Sequence, residues 1–301
     1  MTPAPRIAVV IVTYNSGDVL ASCLAALERS QGIVLTSVVV ADNASHDDSV
    51  AIAEHTALPV TVVKLGSNLG YAAAINAATA GLDGHDALLV LNPDCVVRPD
   101  ALAALAAGLR RESCGMTVPR LVNPDGSLQP SLRRTPTVGR ALGEALLGRR
   151  AARVPLFAEL ITDPRDYAAP APFAWATGAA MLISAEAARD LGPWDESFLL
   201  YSEETEYALR GRDRGWTLWY EPAAEVLHVG GAQQRNPTLN ALSVVNRVRL
   251  YRRRHGVLAS AAYYLAVLTG ETLRAAAGRR VSWAAVQWLV LPSRRLRALP
   301  Q

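Results

Sequence analysis

Three glutamates fall within four positions of the stretch FLLYSEETEYALR, Phe198–Arg210: Glu203, Glu204 and Glu206. Acids in the first turn of a helix favour its dipole by about 0.3–1 kcal/mol each. Ser202 stands where an N-cap would, and Glu206 with Arg210 has the i,i+4 spacing and order of an ion pair. Structure therefore accounts for Glu206. It does not separate Glu203 from Glu204, which point about 100° apart on a helix, and a carboxylate placed there could act as a general base. A second acid, Asp94, follows an apolar run in LVLNPDCVVRPD. An acid just past a buried strand can bind a divalent ion that bridges two phosphates; NPD taken alone also reads as an Asx-Pro turn. His228 ends the apolar run AEVLH before two glycines, either as a satisfied core residue or as a metal or phosphate contact. Arg133 and Arg134 are either a solvated loop pair or a seat for a phosphate, which guanidinium suits.

These residues need a frame, and the hydrophobic pattern supplies one. Ile7–Thr13 is a continuous β-branched run, as expected of a strand buried on both faces; Ser37–Asp42 reads as a second buried strand, and Val60–Lys64 and Ala87–Leu91 as a third and a fourth. Each is followed by a polar turn and a helical pattern, the last covering 101–110. Four strand–turn–helix units predict an α/β fold with a doubly wound, mostly parallel sheet flanked by helices, whose ligands sit beyond the C-terminal strand ends. Thr13, Tyr14, Asn15, Asp42, Asn43, Asn68, Asn92 and Asp94 gather at those ends. Each has a plain reading as turn or cap chemistry, which the shared location weakens. Residues 120–172, rich in Pro and Arg, read as a long irregular insertion of the kind that is functional or disordered. WATGAAMLISAEAARDLG then reads as a strand and a helix.

Several chemistries are disfavoured. No Gly-x-Gly-x-x-Gly follows the first strand, and there is no Gly-Lys-Ser/Thr phosphate loop and no Gly-x-Ser-x-Gly elbow. The three cysteines, Cys23, Cys95 and Cys114, are scattered, so neither a disulfide framework nor a zinc site is expected and a reducing compartment fits. The N-terminus lacks a signal-peptide profile, and no run reaches the about 18 apolar residues of a spanning helix. The expectation is a cytoplasmic body. From Asn236 onward there are eleven arginines and one acid, Glu271: a local charge of +10 in a chain of net charge +3, which leaves −7 on the first 235 residues. A basic tail on a mildly acidic body points to an anionic partner.

The ordered pieces VVIVTYNS, VVVADNASHDDS, SNLGYAAAIN, LLVLNPDCVVRPDAL, GAAMLISAEAARDLGPWDESF, SEETEYALRGRDRGW and EVLHVGG resemble the inverting glycosyltransferases of family 2, which have the nucleotide-sugar-binding fold called GT-A. The resemblance covers about residues 7–231. NPD in place of Asp-x-Asp, with NPDGSLQPSLRRTPT, is most similar to the rhamnosyltransferase branch, which moves rhamnose from dTDP-rhamnose onto lipid-linked or polysaccharide acceptors. The resemblance implies that Thr13, Tyr14 and Asn15 line the nucleotide pocket and that Asp42 accepts a hydrogen bond from base or ribose. Asn68 and Gly70 would lie near ribose or diphosphate, with Asn76 holding their loop. Asp94, helped by His228, would hold Mg²⁺ or Mn²⁺; Asn92 replaces the first acid of Asp-x-Asp, so one carboxylate must suffice. The second acid of the family's Glu-Asp-x-Asp stretch, the general base, falls on Glu204, with Glu203 beside it shaping the site. Trp194 and Asp195 would border the acceptor, Gly178 would let a sugar approach the backbone, and Arg133 and Arg134 would meet an acceptor phosphate. The implied division is a nucleotide-sugar part, 1–115, an acceptor and catalytic part, 116–235, and a basic helical C-terminal extension, 236–301. A UDP-sugar donor (galactofuranose or N-acetylglucosamine) and a non-catalytic sugar-nucleotide- or lipid-binding protein are the alternatives.

The extension alternates arginine clusters with apolar pieces, 257–269 and 281–291, that carry Tyr263, Tyr264, Trp283 and Trp288. Helices of this kind suit a bilayer interface, here the inner face of the cell membrane, with cations on anionic headgroups. A helical cap on the core or a homodimer contact is the other reading. Nucleic acid fits poorly, since no reader motif is present.

Overall fold

The structure, a computed structural model, describes residues 3–230, 236–296, 298 and 299. The strands are β1 (Arg6–Thr13), β2 (Val34–Asp42), β3 (Val60–Lys64), β4 (Ala87–Leu91), β5 (Cys95–Val97), β6 (Cys114–Val122), β7 (Leu132–Arg133), β8 (Ala171–Phe173), β9 (Trp175–Ala176), β10 (Ala180–Ser184) and β11 (Thr217–His228). The helices are α1 (Gly17–Glu28), α2 (Ser49–Glu54), α3 (Tyr71–Thr79), α4 (Ala101–Gly108), α5 (Val138–Leu147), α6 (Ala185–Leu191) and α7 (Glu203–Asp213), then α8 (Pro237–Arg254), α9 (Val257–Ala276) and α10 (Arg280–Val290).

The main sheet runs β3-β2-β1-β4-β10-β6-β11-β5, with β8 added beside β11. β3, β2, β1 and β4 are parallel, as the repeated strand–helix units require. Beyond β4 the sheet turns mixed: β10 is antiparallel to both β4 and β6, and β6 is parallel to β11. Alternate β1 residues feed two cores. Ile7, Val9 and Ile11 pack with α1, α2 and α4; Ala8, Val10 and Val12 pack with α3, α6 and α7. The register sets Thr13 beside Asp42 and Ile11 beside Leu91, so the C-terminal ends of β1, β2 and β4 share one edge.

The insertion is more ordered than its composition suggests. Thr137 caps α5 through its side chain, which accepts the Arg140 N–H, and Ala141 of α5 packs into a third core made with α8, α9 and α10. The helix was missed because only its buried small residues carry the pattern, and their partners lie more than a hundred residues away. The tail arginines also differ from expectation. Arg253 pairs with Asp195 at 2.5 Å, Arg254 with Asp213 at 2.5 Å, and Arg247 faces Glu144 at 3.7 Å. Part of the basic tail is thus matched to the acidic body within the same molecule.

One contact joins the first half of the sheet to the approach to α7. Gly70 has φ +98°, and its missing side chain leaves room for the Leu199 carbonyl, which accepts the Tyr71 N–H at 2.9 Å. A Cβ at Gly70 would lie 2.2 Å from that oxygen. Gly70→Ala is therefore expected to cost about 2 kcal/mol, read by urea denaturation. Wild-type stability in this variant would mean that the two segments do not meet as described.

Candidate active site

The turn before α7 is strained. Leu199, Tyr201 and Ser202 have φ of 63°, 69° and 79°, a left-handed backbone that costs side-chain-bearing residues about 1–3 kcal/mol each. Ser202 is the N-cap by position, but its hydroxyl makes no capping bond, contrary to the sequence expectation; its carbonyl accepts the Glu206 N–H at 2.8 Å. The left-handed backbone removes the extended geometry that side-chain capping uses. The turn is held from two sides. Gly70 and Tyr71 bind Leu199 on one, and buried Asn246 of α8 gives its amide N–H groups to the carbonyls of Phe198 (2.7 Å), Leu200 (2.9 Å) and Tyr201 (3.2 Å) on the other. The Arg249 guanidinium adds a bond to the Ser197 carbonyl at 2.6 Å. Nothing in the sequence around Asn246 marks this role, because it depends on backbone 45 to 48 residues away.

Glu203 and Glu204 enter the wall of a cavity of about 330 Å³, together with Asn92, Arg133, Trp175 and Arg247. Glu203 is only 3% exposed, and its Oε2 has no hydrogen-bond partner. Burial, then the charge of Glu204, pushes its carboxyl well above the ordinary range. Burial also raises Glu204, while the charge of Arg133 opposes the rise. Two adjacent carboxyls of this kind do not both ionise readily; burial favours the proton on Glu203, and the Arg133 charge favours ionisation of Glu204 on the cavity wall. Gly178 lines the same cavity, and a Cβ there would lie 3.2 Å from the Glu204 Cβ, so the missing side chain also makes room for the glutamate. Tyr71, kept protonated by burial, donates to Asn92 Oδ1 at 2.8 Å. An amide oxygen at position 92 thus serves as an acceptor for the phenol.

Two residues along, Asp94 meets His228. β5 pairs antiparallel with the end of β11, setting Cys95 opposite His228. Asp94 Oδ2 accepts the Gly230 N–H at 2.9 Å, and Oδ1 lies 3.4 Å from His228 Nε2. His228 Nδ1 lies 2.6 Å from Gln129 Oε1, and the Gln129 amide nitrogen donates to Asn123 Oδ1 at 3.0 Å, which fixes the amide's orientation. Nδ1 is therefore the N–H donor to Gln129, and Nε2 is turned to the Asp94 carboxylate. A carboxylate beside an oriented imidazole is a donor pair that fits a divalent ion. Burial opposes ionisation of Asp94, but contacts from His228 and Gly230 outweigh it and hold its pKa below the ordinary value. Cys95 lies close enough to join them. Burial keeps it a thiol, bonded to the Ala179 carbonyl at 3.3 Å, which leaves Asp94 and His228 as the donor pair. Gln129 went unrecognised in the sequence, although its motif was noticed.

The remaining positions divide. Thr13 is buried at the end of β1 with an unpartnered Oγ1. Asn15 has φ 51°; its N–H donates to Ser45 Oγ and its Oδ1 accepts the His46 N–H. Asp42 accepts the Ser45 N–H at 3.1 Å. These residues, with half-buried Tyr14 and buried Asn68, form the sheet edge. Gly70 faces Leu199. Asn76 does not hold the Asn68–Gly70 loop; it clamps Trp194, accepting its N–H at 2.8 Å and donating to its carbonyl at 2.9 Å. Trp194 stacks on Tyr207 at 4.3 Å and lines a separate hollow, and Asp195 is occupied by Ser197 and Arg253. Neither lines the glutamate cavity. Arg134 is turned to Asp166 (3.6 Å) and the Ala158 carbonyl (3.5 Å), and Arg133 alone of the pair reaches the cavity. Glu206 and Arg210 pair as the spacing predicts, at 3.0 Å.

Comparison with known proteins gives the following. Residues 8–169 match the model of the family described as Glycosyl transferase family 2. The chain is 32% identical over 231 residues to the N-acetylglucosaminyl-diphospho-decaprenol L-rhamnosyltransferase of Mycobacterium tuberculosis, covering 73% of this chain and 75% of that protein. It is 25% identical to the low-salt glycan biosynthesis hexosyltransferase Agl10 of Haloferax volcanii, over 74% of this chain and 66% of that one. Among solved structures, the mannosyltransferase PcManGT of Pyrobaculum calidifontis, in complex with GDP-Man and Mn²⁺, superposes with a TM-score of 0.57 at 17% identity, over 97% of this chain and 80% of that one.

The raised pKa of Glu203 has a measurable consequence. A carboxyl that holds its proton more tightly in the folded than in the unfolded state contributes stability that is full below its ordinary pKa and lost as pH rises. Wild-type protein should therefore lose melting temperature between about pH 5 and about pH 8, and Glu203→Gln should flatten the decline. An unchanged slope in the variant would place the proton elsewhere.

Proposed function

Because the chain belongs to glycosyltransferase family 2, has the GT-A fold and is a glycosyltransferase enzyme, we propose that it transfers L-rhamnose from dTDP-β-L-rhamnose, with inversion, to a lipid-linked or polysaccharide acceptor of the cell envelope. One observation carries the reading of the site: a single cavity extends from Asn92, two residues from Asp94, to Glu204. A donor whose diphosphate lies at the sheet edge would present its sugar toward that cavity, and an acceptor in the cavity would reach the opposite face of the sugar. Glu204 then removes the proton of the attacking hydroxyl as its oxygen bonds to the anomeric carbon. The bond to the diphosphate oxygen breaks, and its electron pair leaves with the nucleotide. Glu203, protonated beside it, keeps the shared negative charge on Glu204. Asp94 and His228 would hold a divalent ion, Mg²⁺ or Mn²⁺. When bound, such an ion offsets the charge that develops on a departing diphosphate. Thr13, Tyr14, Asn15, Asp42 and Asn68 would receive the nucleoside.

The rhamnose donor is supported by the likeness to the M. tuberculosis L-rhamnosyltransferase, whose name also gives a diphospho-decaprenol acceptor. Residues 1–115 serve the donor in this reading and 116–235 the acceptor, with α8 closing the acceptor cavity through Ser243, Arg247 and Leu250. A peripheral place on the cytoplasmic face of the membrane is supported by the surface of the C-terminal helices. Val257 and Leu258 are 85% and 87% exposed and Trp283 is 58% exposed, alongside exposed Arg252, Arg279, Arg280 and Arg294. No helix among the described residues is long and apolar enough to cross a membrane.

Glu204→Gln is expected to keep nucleotide binding and to lose transfer by about 10²–10⁴-fold, measured as product formed from dTDP-rhamnose; retained turnover would remove Glu204 from the role. In thermal-shift titration, dTDP should stabilise the protein more than UDP. A clear preference for UDP would replace the donor.

A further inference from the structure

The acceptor cavity contains two guanidinium groups with unused donors. Arg133 lines it from β7, and its buried Nε has no hydrogen-bond partner. Its guanidinium makes neither an ion pair nor a hydrogen bond among the described residues. It lies over the Trp175 ring at 5.4 Å, which fixes its plane. Arg247 lines the same cavity from α8, and its Nε is likewise buried and unpartnered. Glu144 at 3.7 Å and the Tyr263 ring at 5.9 Å hold it in place. A buried N–H without a partner is unfavourable unless a ligand supplies the acceptor, and two guanidinium groups in one cavity match the oxygens of a phosphate.

Resting on the transferase reading above, we propose that Arg133 and Arg247 together seat a phosphate of the acceptor, so that the acceptor is a glycosyl phosphate or diphosphate whose sugar hydroxyl reaches Glu204. The seat spans the insertion and the C-terminal helices, and it is incomplete without α8. Arg134, turned to Asp166, takes no part. The carboxyls on the same wall do not oppose an anion as strongly as their number suggests. Glu144 faces Arg247 and accepts the Glu159 N–H at 2.9 Å. Burial pushes Glu159 up to about 7, so near neutral pH a large fraction of it can donate a proton to a phosphate oxygen rather than repel it.

The test is calorimetric binding of three probes to the full chain: an alkyl N-acetylglucosaminyl diphosphate, N-acetylglucosamine 1-phosphate, and an uncharged alkyl N-acetylglucosaminide. Wild-type protein should prefer the charged probes. Tighter binding of the alkyl diphosphate than of the 1-phosphate assigns a lipid-linked source, and equal binding a soluble sugar phosphate. Arg133→Ala and Arg247→Ala should each weaken the charged probes by about 10- to 100-fold and leave the uncharged probe unchanged. Arg247→Lys should recover only part of the loss, and Arg134→Ala should lose nothing. Should Arg247→Ala fail to fold, Arg133→Ala, which breaks no ion pair, decides alone. No preference for charge in the wild type, or equal losses for charged and uncharged probes, overturns the inference. Turnover of dTDP-rhamnose by the wild type reads the transferase assignment separately.

Discussion

Everything at the site depends on a short left-handed turn. Leu199, Tyr201 and Ser202 adopt a backbone that side-chain-bearing residues avoid, and a free peptide of this sequence would not hold it. Two distant parts of the chain impose it. Gly70, at the entry to α3, admits the Leu199 carbonyl; Asn246, on α8, collects three carbonyls of the same turn. The turn sets the direction in which α7 begins, and so where Glu203 and Glu204 point. The helix after residue 236 is thus a structural part of the wall that carries the two glutamates.

From that placement the electrostatics follow. Adjacent carboxyls at a helix start would both ionise in water. Burial of Glu203 and the charge of Arg133 acting on Glu204 make the two carboxyls unequal. On the other side of Asn92, Gln129 orients the His228 ring so that its Nε2 meets the Asp94 carboxylate. Tyr71 joins the two sides, with its N–H contributed to Leu199 and its phenol to Asn92.

The parts legible in the sequence are those that rest on local pattern. The four strands, the Glu206–Arg210 pair, and the approach of Asp94 to His228 are legible from hydrophobic runs, spacing and resemblance, although β3 is a partly exposed edge strand. What was misread depends on contacts between remote segments. Ser202 looks like a capping serine until the backbone is seen to be left-handed. Asn76 looks like a loop residue of the nucleotide pocket, and it clamps Trp194 instead. Arg133 and Arg134 are indistinguishable as a pair, and only their neighbours Trp175 and Asp166 give them separate directions. Asn246 and Arg247 carry no local signal, and Gln129 carries only its motif, since each acts through partners supplied by another part of the fold.

The central claim is that Asn92 divides a nucleotide and cation region at the sheet edge from an acceptor region at Glu204. A crystal structure with dTDP and Mn²⁺, with the metal located by anomalous scattering, tests it most directly. The predicted result is an Mn²⁺ peak between Asp94 and His228, with the diphosphate beside it and the cavity before Glu204 left open. An Mn²⁺ ion away from Asp94, or a nucleotide diphosphate lodged against Arg133 and Arg247, would contradict the account.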